Sequence, residues 1–425
     1  MIQINKNILQ LKTSATLAVN QKVKKLRSEN ETVFHFGFGE SPFPIHETIV
    51  SALKNNAANK HYLQTIGLEA LRQGIATYLQ KHQNITADSD FIYIGPGSKK
   101  LLYQTILILD SVFLIPKGSW VSYGPQINIK NSNYVALETH LEHNFKLTAN
   151  TLKEYCKANP NQQKTLLLNS PNNPTGAIYT NEELERLAQV CRANDIIVLS
   201  DEIYSQINFN EDFSPSISKF YPEKTIVFGG LSKVFSAGGY RLGFMALPKD
   251  LQFLHKTFRS LFSETFSAVS SPIQYAAVQA YKMEEDVKKY IKDCATILKG
   301  ISYYITSKLK ENDIDCTESQ GAFYMMIGVN NFKKEINALG IYKSEQLANY
   351  LLDNFNVALL PASDFYFKEE EFFFRLAFVD FNGEEVLKAY RLNQTIDKKF
   401  IINYCPNIYG GVNEIIGFIK QLSKK

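Results

Sequence analysis

Between about residues 90 and 250 the chain alternates short apolar runs with longer helical stretches, and that alternation restricts its fold more than any other feature. The runs are FIYIG (91–95), SVFLIP (111–116), TLLLNS (165–170), IIVLSD (196–201), TIVFGG (225–230) and FMALP (244–248). Runs of this length that lack polar alternation read as strands buried on both faces, and strands separated by helices read as a largely parallel sheet. One helix is marked at both ends. TNEELERLAQVCRAND (180–195) opens on a capping box, Thr180 with Glu183, and sets Leu184, Leu187, Ala188 and Cys191 on one face. The expected fold is α/β: a three-layer α/β/α large domain with a mostly parallel sheet.

The rhythm then changes. A long amphipathic stretch from about Pro272 to Glu311 leads into GAFYMMIGV, the helical SEQLANYLLDNF, VALLP and FFFRLAFV. These predict a smaller α+β domain, formed by the C-terminal part together with the N-terminal segment. The expected division is 1–50, 51–285 and 286–425. A chain of 425 residues that is 45% hydrophobic has material for such cores. Its formal charge of +4 is spread without basic blocks, which argues against a nucleic-acid or membrane partner. The longest apolar stretch, TILILDSVFLIP, is interrupted by Asp110. Cys156, Cys191, Cys294, Cys316 and Cys405 form no C-x-x-C pair, so neither a disulfide framework nor a zinc site is expected, and the cytoplasm is the expected compartment. His140 and His143 have ligand-like spacing but no acidic or cysteine cluster beside them, so no metal is expected.

In open α/β sheets, ligands sit at the carboxyl ends of the strands. Four unusual segments fall there: GPGSKK after the first run, NSPNNPTG after the third, SDEIY after the fourth and SK after the fifth. Taken singly, each has an ordinary explanation as a turn or a helix cap. In this order at successive strand ends they match the needs of pyridoxal phosphate: an amine, an anionic partner for the pyridine nitrogen, donors to the phenolic oxygen and an anion hole. Lys233 supplies the amine and Asp201 the anion. The backbone N–H groups of Gly97, Ser98 and Lys99 open a helix where a phosphate is favoured, and Arg241 adds a charged fork. GPGSKK lacks the third glycine of a dinucleotide fingerprint, which counts against a nicotinamide enzyme.

With NSPNNPTG, SDEIY and SK…GGYRLG in this order, the chain resembles the class I/II aminotransferases of the fold type I pyridoxal-phosphate superfamily, aspartate-aminotransferase-like, from FHFGFGESPFP (34–44) to FFFRLAFV (372–379). The resemblance implies a transaminase that moves the amino group of an L-amino acid to a 2-oxo acid, through a Lys233 aldimine and pyridoxamine phosphate. It implies that Lys233 shuttles the Cα proton, that Asn173 and Tyr204 bond the phenolic oxygen, and that Asp201 bonds the pyridine nitrogen. Ser98, Ser232, Arg241 and Tyr62 would hold the phosphate, Tyr62 reaching across from the partner subunit of a homodimer with shared active sites. Arg375, with Gly39 and Asn173, would bind the substrate, Arg375 gripping its α-carboxylate. Trp120 is similar to the aromatic that stacks on the pyridine ring, with a core tryptophan as the other reading. Where many members carry a phosphate-binding serine the chain has Gly230, so one phosphate contact is either missing or supplied by Ser232 or Ser236. Phe36, Phe38 and Phe43 hint at an apolar substrate side chain or pack the N-terminal segment. A lyase or decarboxylase of the same fold is the alternative reaction, because the motifs do not choose which Cα bond breaks.

Overall fold

The structure, a computed structural model, describes residues 3–9, 11 and 15–422. Seven strands form the main sheet: β1 (Ile92–Gly95), β2 (Val112–Pro116), β3 (Tyr134–Leu137), β4 (Lys164–Asn169), β5 (Ile197–Asp201), β6 (Thr225–Gly230) and β7 (Gly243–Ala246). Their order is β1-β7-β6-β5-β4-β2-β3, with every pairing parallel except the two that β7 makes. All six apolar runs are strands. The sequence reading missed β3, an edge strand whose short apolar run YVAL has only Leu137 buried.

Alternate residues of the central strands feed different cores, as a period of two demands. Phe113, Ile115, Leu167, Leu199 and Phe228 pack with the helices Ser98–Ile108 and His255–Thr265 on one face. Leu114, Leu166, Leu168 and Val198 pack on the other with Leu152, Leu184 and Leu187 of the helices Ala149–Ala158 and Asn181–Ala193. These are the three layers expected. The capping box of Thr180 and Glu183 is present at the start of the second of those helices, both bonds made.

A second, antiparallel sheet comprises β8 (Asp315–Cys316), β9 (Tyr324–Gly328), β10 (Leu360–Pro361) and β11 (Phe373–Ala377), in the order β10-β11-β9-β8. The two-residue strand Phe34–His35 pairs in parallel with Val357–Ala358, which joins the N-terminal segment to the C-terminal part. The long stretch from Pro272 to Glu311 is two helices, Ser271–Lys282 and Glu285–Lys310. The break is at Met283, which is left-handed (φ 51°) and buried. Both halves carry apolar faces, so periodicity alone did not reveal the break. It lets the first helix pack on Glu47–Asn56 and Glu69–Gln83 while the second packs on Gly383–Asn393.

Candidate active site

Parallel pairing fixes the framework of the site. Asn169 ends β4 opposite Asp201, which ends β5, and Asp201 in turn lies opposite Phe228 of β6, whose last residue leads through Leu231 and Ser232 to Lys233. A cavity of about 350 Å³ opens at these carboxyl ends. Gly39, Ser98, Lys99, Trp120, Asn173, Asp201, Tyr204, Ser232, Lys233, Arg241 and Arg375 all line it, eleven of the residues expected from the sequence.

Asp201 lies on the cavity floor, buried. Its Oδ2 accepts a hydrogen bond from Tyr123 Oη at 2.9 Å, while its Oδ1 is buried with no hydrogen-bond partner among the described residues. Burial holds its pKa up at about 6, even though the Tyr123 bond, the Ile203 N–H and the charge of Lys233 all favour the anion. A buried carboxylate oxygen left unpaired on a residue that lines a cavity calls for a hydrogen-bond donor. Asn169 braces the same corner, its Nδ2 donating to the Asp201 carbonyl at 2.7 Å and its Oδ1 accepting from the Asn173 N–H at 2.8 Å.

Lys233 Nζ donates to the carbonyl of Gly39 at 2.6 Å and faces the rings of Tyr204 and Phe323. Tyr204 Oη lies 2.9 Å from Tyr324 Oη. Arg375, at 2% exposure, donates from Nη1 to Asn173 Oδ1 at 3.2 Å and from Nη2 to the Gly37 carbonyl at 2.7 Å, and its Nε has no hydrogen-bond partner. Burial disfavours its charge, while Tyr324, Tyr204 and the charge of Asp364 favour it. A guanidinium held in so dry a place is matched to an anion that arrives with a ligand.

At the opposite end Gly97, with φ 85°, caps the helix Ser98–Ile108 without any side-chain acceptor for the free N–H groups of its first turn. Arg241 lies against this turn, and a Cβ on Gly97 would stand 2.5 Å from Arg241 Nη2. Gly97 thus shapes the site without lining the cavity. Burial first and the charge of Arg241 second lower the pKa of Lys99, whose ammonium stands 5.3 Å from the Trp120 ring. Trp120 is half-buried at the cavity wall, edge-on to Tyr123 at 5.4 Å. Of the two candidate serines, Ser232 lines the cavity; Ser236 bonds Ser41 and Tyr290 instead. Tyr62 stands outside this chain's cavity, 94% exposed. Phe38 lines the cavity, but Phe36 and Phe43 belong to the core. Among the described residues no cluster of His, Cys, Asp or Glu could hold a metal.

Sequence reasoning missed Tyr123, Asn169 and Tyr324. Asn169 stood in a quoted motif but was overshadowed by Asn173. Tyr123 and Tyr324 carried no local signal, because their partners lie 78 and 120 residues away.

Residues 31–390 match the family described as aminotransferase class I and II. The chain belongs to the class I and II aminotransferases. It is 31% identical over 373 residues to an aspartate aminotransferase of Geobacillus stearothermophilus, a match spanning 86% of this chain and 92% of that protein. It is 30% identical over 416 residues to a probable aspartate/prephenate aminotransferase of Rickettsia conorii, covering 93% and 98%. In three dimensions it is similar to an aspartate aminotransferase from Thermus thermophilus with maleate, with a TM-score of 0.84 at 22% identity over 98% of this chain and 99% of that one. That last likeness bears on the fold. The chain is thus a transaminase, of a family that works with pyridoxal phosphate and acts on amino acids and 2-oxo acids. Among the described residues, no helix of this aminotransferase is long and apolar enough to cross a membrane.

Proposed function

We propose that this transaminase holds pyridoxal phosphate in the cavity between Asp201, Lys233 and the Gly97 turn, and moves the amino group of an L-amino acid to a 2-oxo acid there. The observation that carries the reading is the buried, unpaired Oδ1 of Asp201 in the same cavity as Lys233. When bound, the cofactor supplies an electron sink and a carrier for the amino group. The donors present fit it. Asp201 would keep the pyridine nitrogen protonated; Asn173 and Tyr204 would bond the phenolic oxygen; Trp120 would stack on the ring. The N–H groups of Ser98 and Lys99, the hydroxyls of Ser98 and Ser232, and Arg241 would hold the phosphate, completed by Tyr62 of a second copy.

Arg375 grips the substrate α-carboxylate and, with Gly39 and Asn173, turns the Cα toward Lys233. Lys233 Nζ takes the proton from Cα and delivers it again at the end of the half-reaction. The Gly39 carbonyl holds the amine on the cavity side in the meantime. A homodimer with shared sites, a cytoplasmic location and the division into 1–50, 51–285 and 286–425 belong to the same reading; residues 1–2, 10, 12–14 and 423–425 at its two ends lie outside the described residues. The break at Met283 supports the second boundary.

The test is direct. Protein incubated with pyridoxal phosphate is reduced with borohydride and digested, and a phosphopyridoxyl group on the Lys233 peptide is expected. Amino transfer from a panel of L-amino acids to 2-oxo acids is expected in the wild type, and its loss by at least about 1,000-fold in Lys233→Ala. Label on another lysine overturns the assignment of Lys233, and donor-dependent release of ammonia or carbon dioxide without transfer overturns the reaction in favour of a lyase or decarboxylase.

A further inference from the structure

Tyr324 touches three functional groups at once. It starts β9, is 1% exposed, and lines the cavity. Its hydroxyl stands 2.9 Å from Tyr204 Oη and 3.3 Å from the Gly39 carbonyl, the same oxygen that receives Lys233 Nζ. The face of its ring lies 4.7 Å from the Arg375 guanidinium. Gly39 has no room for a side chain beside it: a Cβ there would overlap the Tyr324 hydroxyl.

The backbone before Tyr324 is tied to the segment that follows β5 and Tyr204. The Ala322 N–H donates to the Ile207 carbonyl at 2.8 Å and the Phe209 N–H to the Gln320 carbonyl at 2.9 Å, three and five residues beyond Tyr204. These bonds hold the backbone segments that carry the two tyrosines in a fixed relation to each other. On the other side, β9 pairs with β11, which carries Arg375.

We propose that Tyr324 is a positioning residue with two separable duties: its ring holds Arg375 for the substrate carboxylate, and its hydroxyl aims the Tyr204 hydroxyl into the cavity. The inference rests on the roles given above to Arg375 and Tyr204. A phenol over a desolvated guanidinium adds attraction and removes its freedom to swing, which acts on substrate binding. A hydroxyl bonded to a second hydroxyl fixes a rotor that would otherwise be free, which acts on the groups that Tyr204 serves. The two duties leave different kinetic marks.

Tyr324→Phe deletes only the hydroxyl and Tyr324→Leu deletes the ring as well. Both are compared with wild type for kcat, for KM of the 2-oxo acid, and for the Kd of pyridoxal phosphate with the apoprotein, after circular dichroism confirms the fold. Tyr324→Phe is expected to lower kcat about tenfold and to raise the cofactor Kd severalfold, the scale of one hydrogen bond, with KM within about twofold of wild type. Tyr324→Leu is expected to keep those losses and to raise KM about tenfold in addition. If Tyr324→Phe has the kcat and cofactor Kd of wild type, the hydroxyl duty is wrong; if Tyr324→Leu shows no higher KM than Tyr324→Phe, the ring duty is wrong. Failure of the wild type to transfer amino groups would instead overturn the proposed function, and the Kd comparison would still decide the hydroxyl duty.

Discussion

Glu202 follows Asp201 along the chain and points away from it, into a separate buried nest where it accepts hydrogen bonds from Ser200 Oγ at 2.8 Å, Ser216 Oγ at 2.5 Å and Gln83 Nε2 at 2.7 Å. The pair shows how one strand end divides its labour. Asp201, which lines the cavity, keeps one oxygen unpaired, whereas Glu202 uses its acceptors to tie the helix Glu69–Gln83 and the loop near Ser216 to the sheet. Burial raises the Glu202 pKa from 4.5 to about 7 in spite of those three bonds, with Asp201 adding a smaller push in the same direction. A carboxyl whose folded pKa lies above its unfolded one favours the fold when protonated. That contribution is fully present below about pH 4.5 and is lost as pH rises through about 7, a change on the order of 3 kcal/mol. Urea unfolding of the apoprotein from pH 4.5 to 8 should therefore show wild type losing more stability than Glu202→Gln, which stays neutral throughout. Parallel curves for the two proteins would sink the assignment.

At the scale of elements, the turn before the helix Ser98–Ile108 shapes the end of the cavity where the phosphate is proposed to sit. Gly97 has φ 85° and ψ 153°, a region that side chains other than glycine's scarcely occupy. The same glycine leaves room for Arg241, itself left-handed at φ 50° and anchored by Nη1 to the Gly238 carbonyl at 2.8 Å. Gly97→Ala thus acts twice. Backbone strain should lower stability by about 1–3 kcal/mol, and displacement of the guanidinium should raise the Kd for pyridoxal phosphate by about tenfold or more. Denaturation and equilibrium titration of the apoprotein measure the two effects separately; an unchanged cofactor Kd would remove Arg241 and this turn from the phosphate site.

At the scale of the whole molecule, Tyr62 is 94% exposed in the single chain. The proposed dimer with shared sites would bury this tyrosine against a second copy. Sedimentation should give twice the chain mass. Mixing inactive Lys233→Ala with a Tyr62→Ala variant, after unfolding and refolding together, should yield hybrids in which one of the two sites has both side chains. Recovery of activity above that of either parent supports shared sites, and a monomer with full activity rules them out.

Much of this was legible in the linear sequence because the information is local or periodic. Six apolar runs gave six of the seven main strands, and the capping box placed its helix, since burial on both faces and helix capping act within a few residues. Motif order at strand ends named Lys233, Asp201 and Arg241, because parallel register carries consecutive strand ends to one edge of the sheet, and the family resemblance added Asn173. Tertiary structure alone decided the rest. It split the long helix at Met283, sent Ser236 to Ser41 and Tyr290 while leaving Ser232 at the cavity, and buried Phe36 and Phe43 while opening Phe38. It also brought Tyr123 to Asp201 and Tyr324 to Tyr204. Contacts across 78 and 120 residues depend on how two sheets pack, and no short-range pattern in a chain records that.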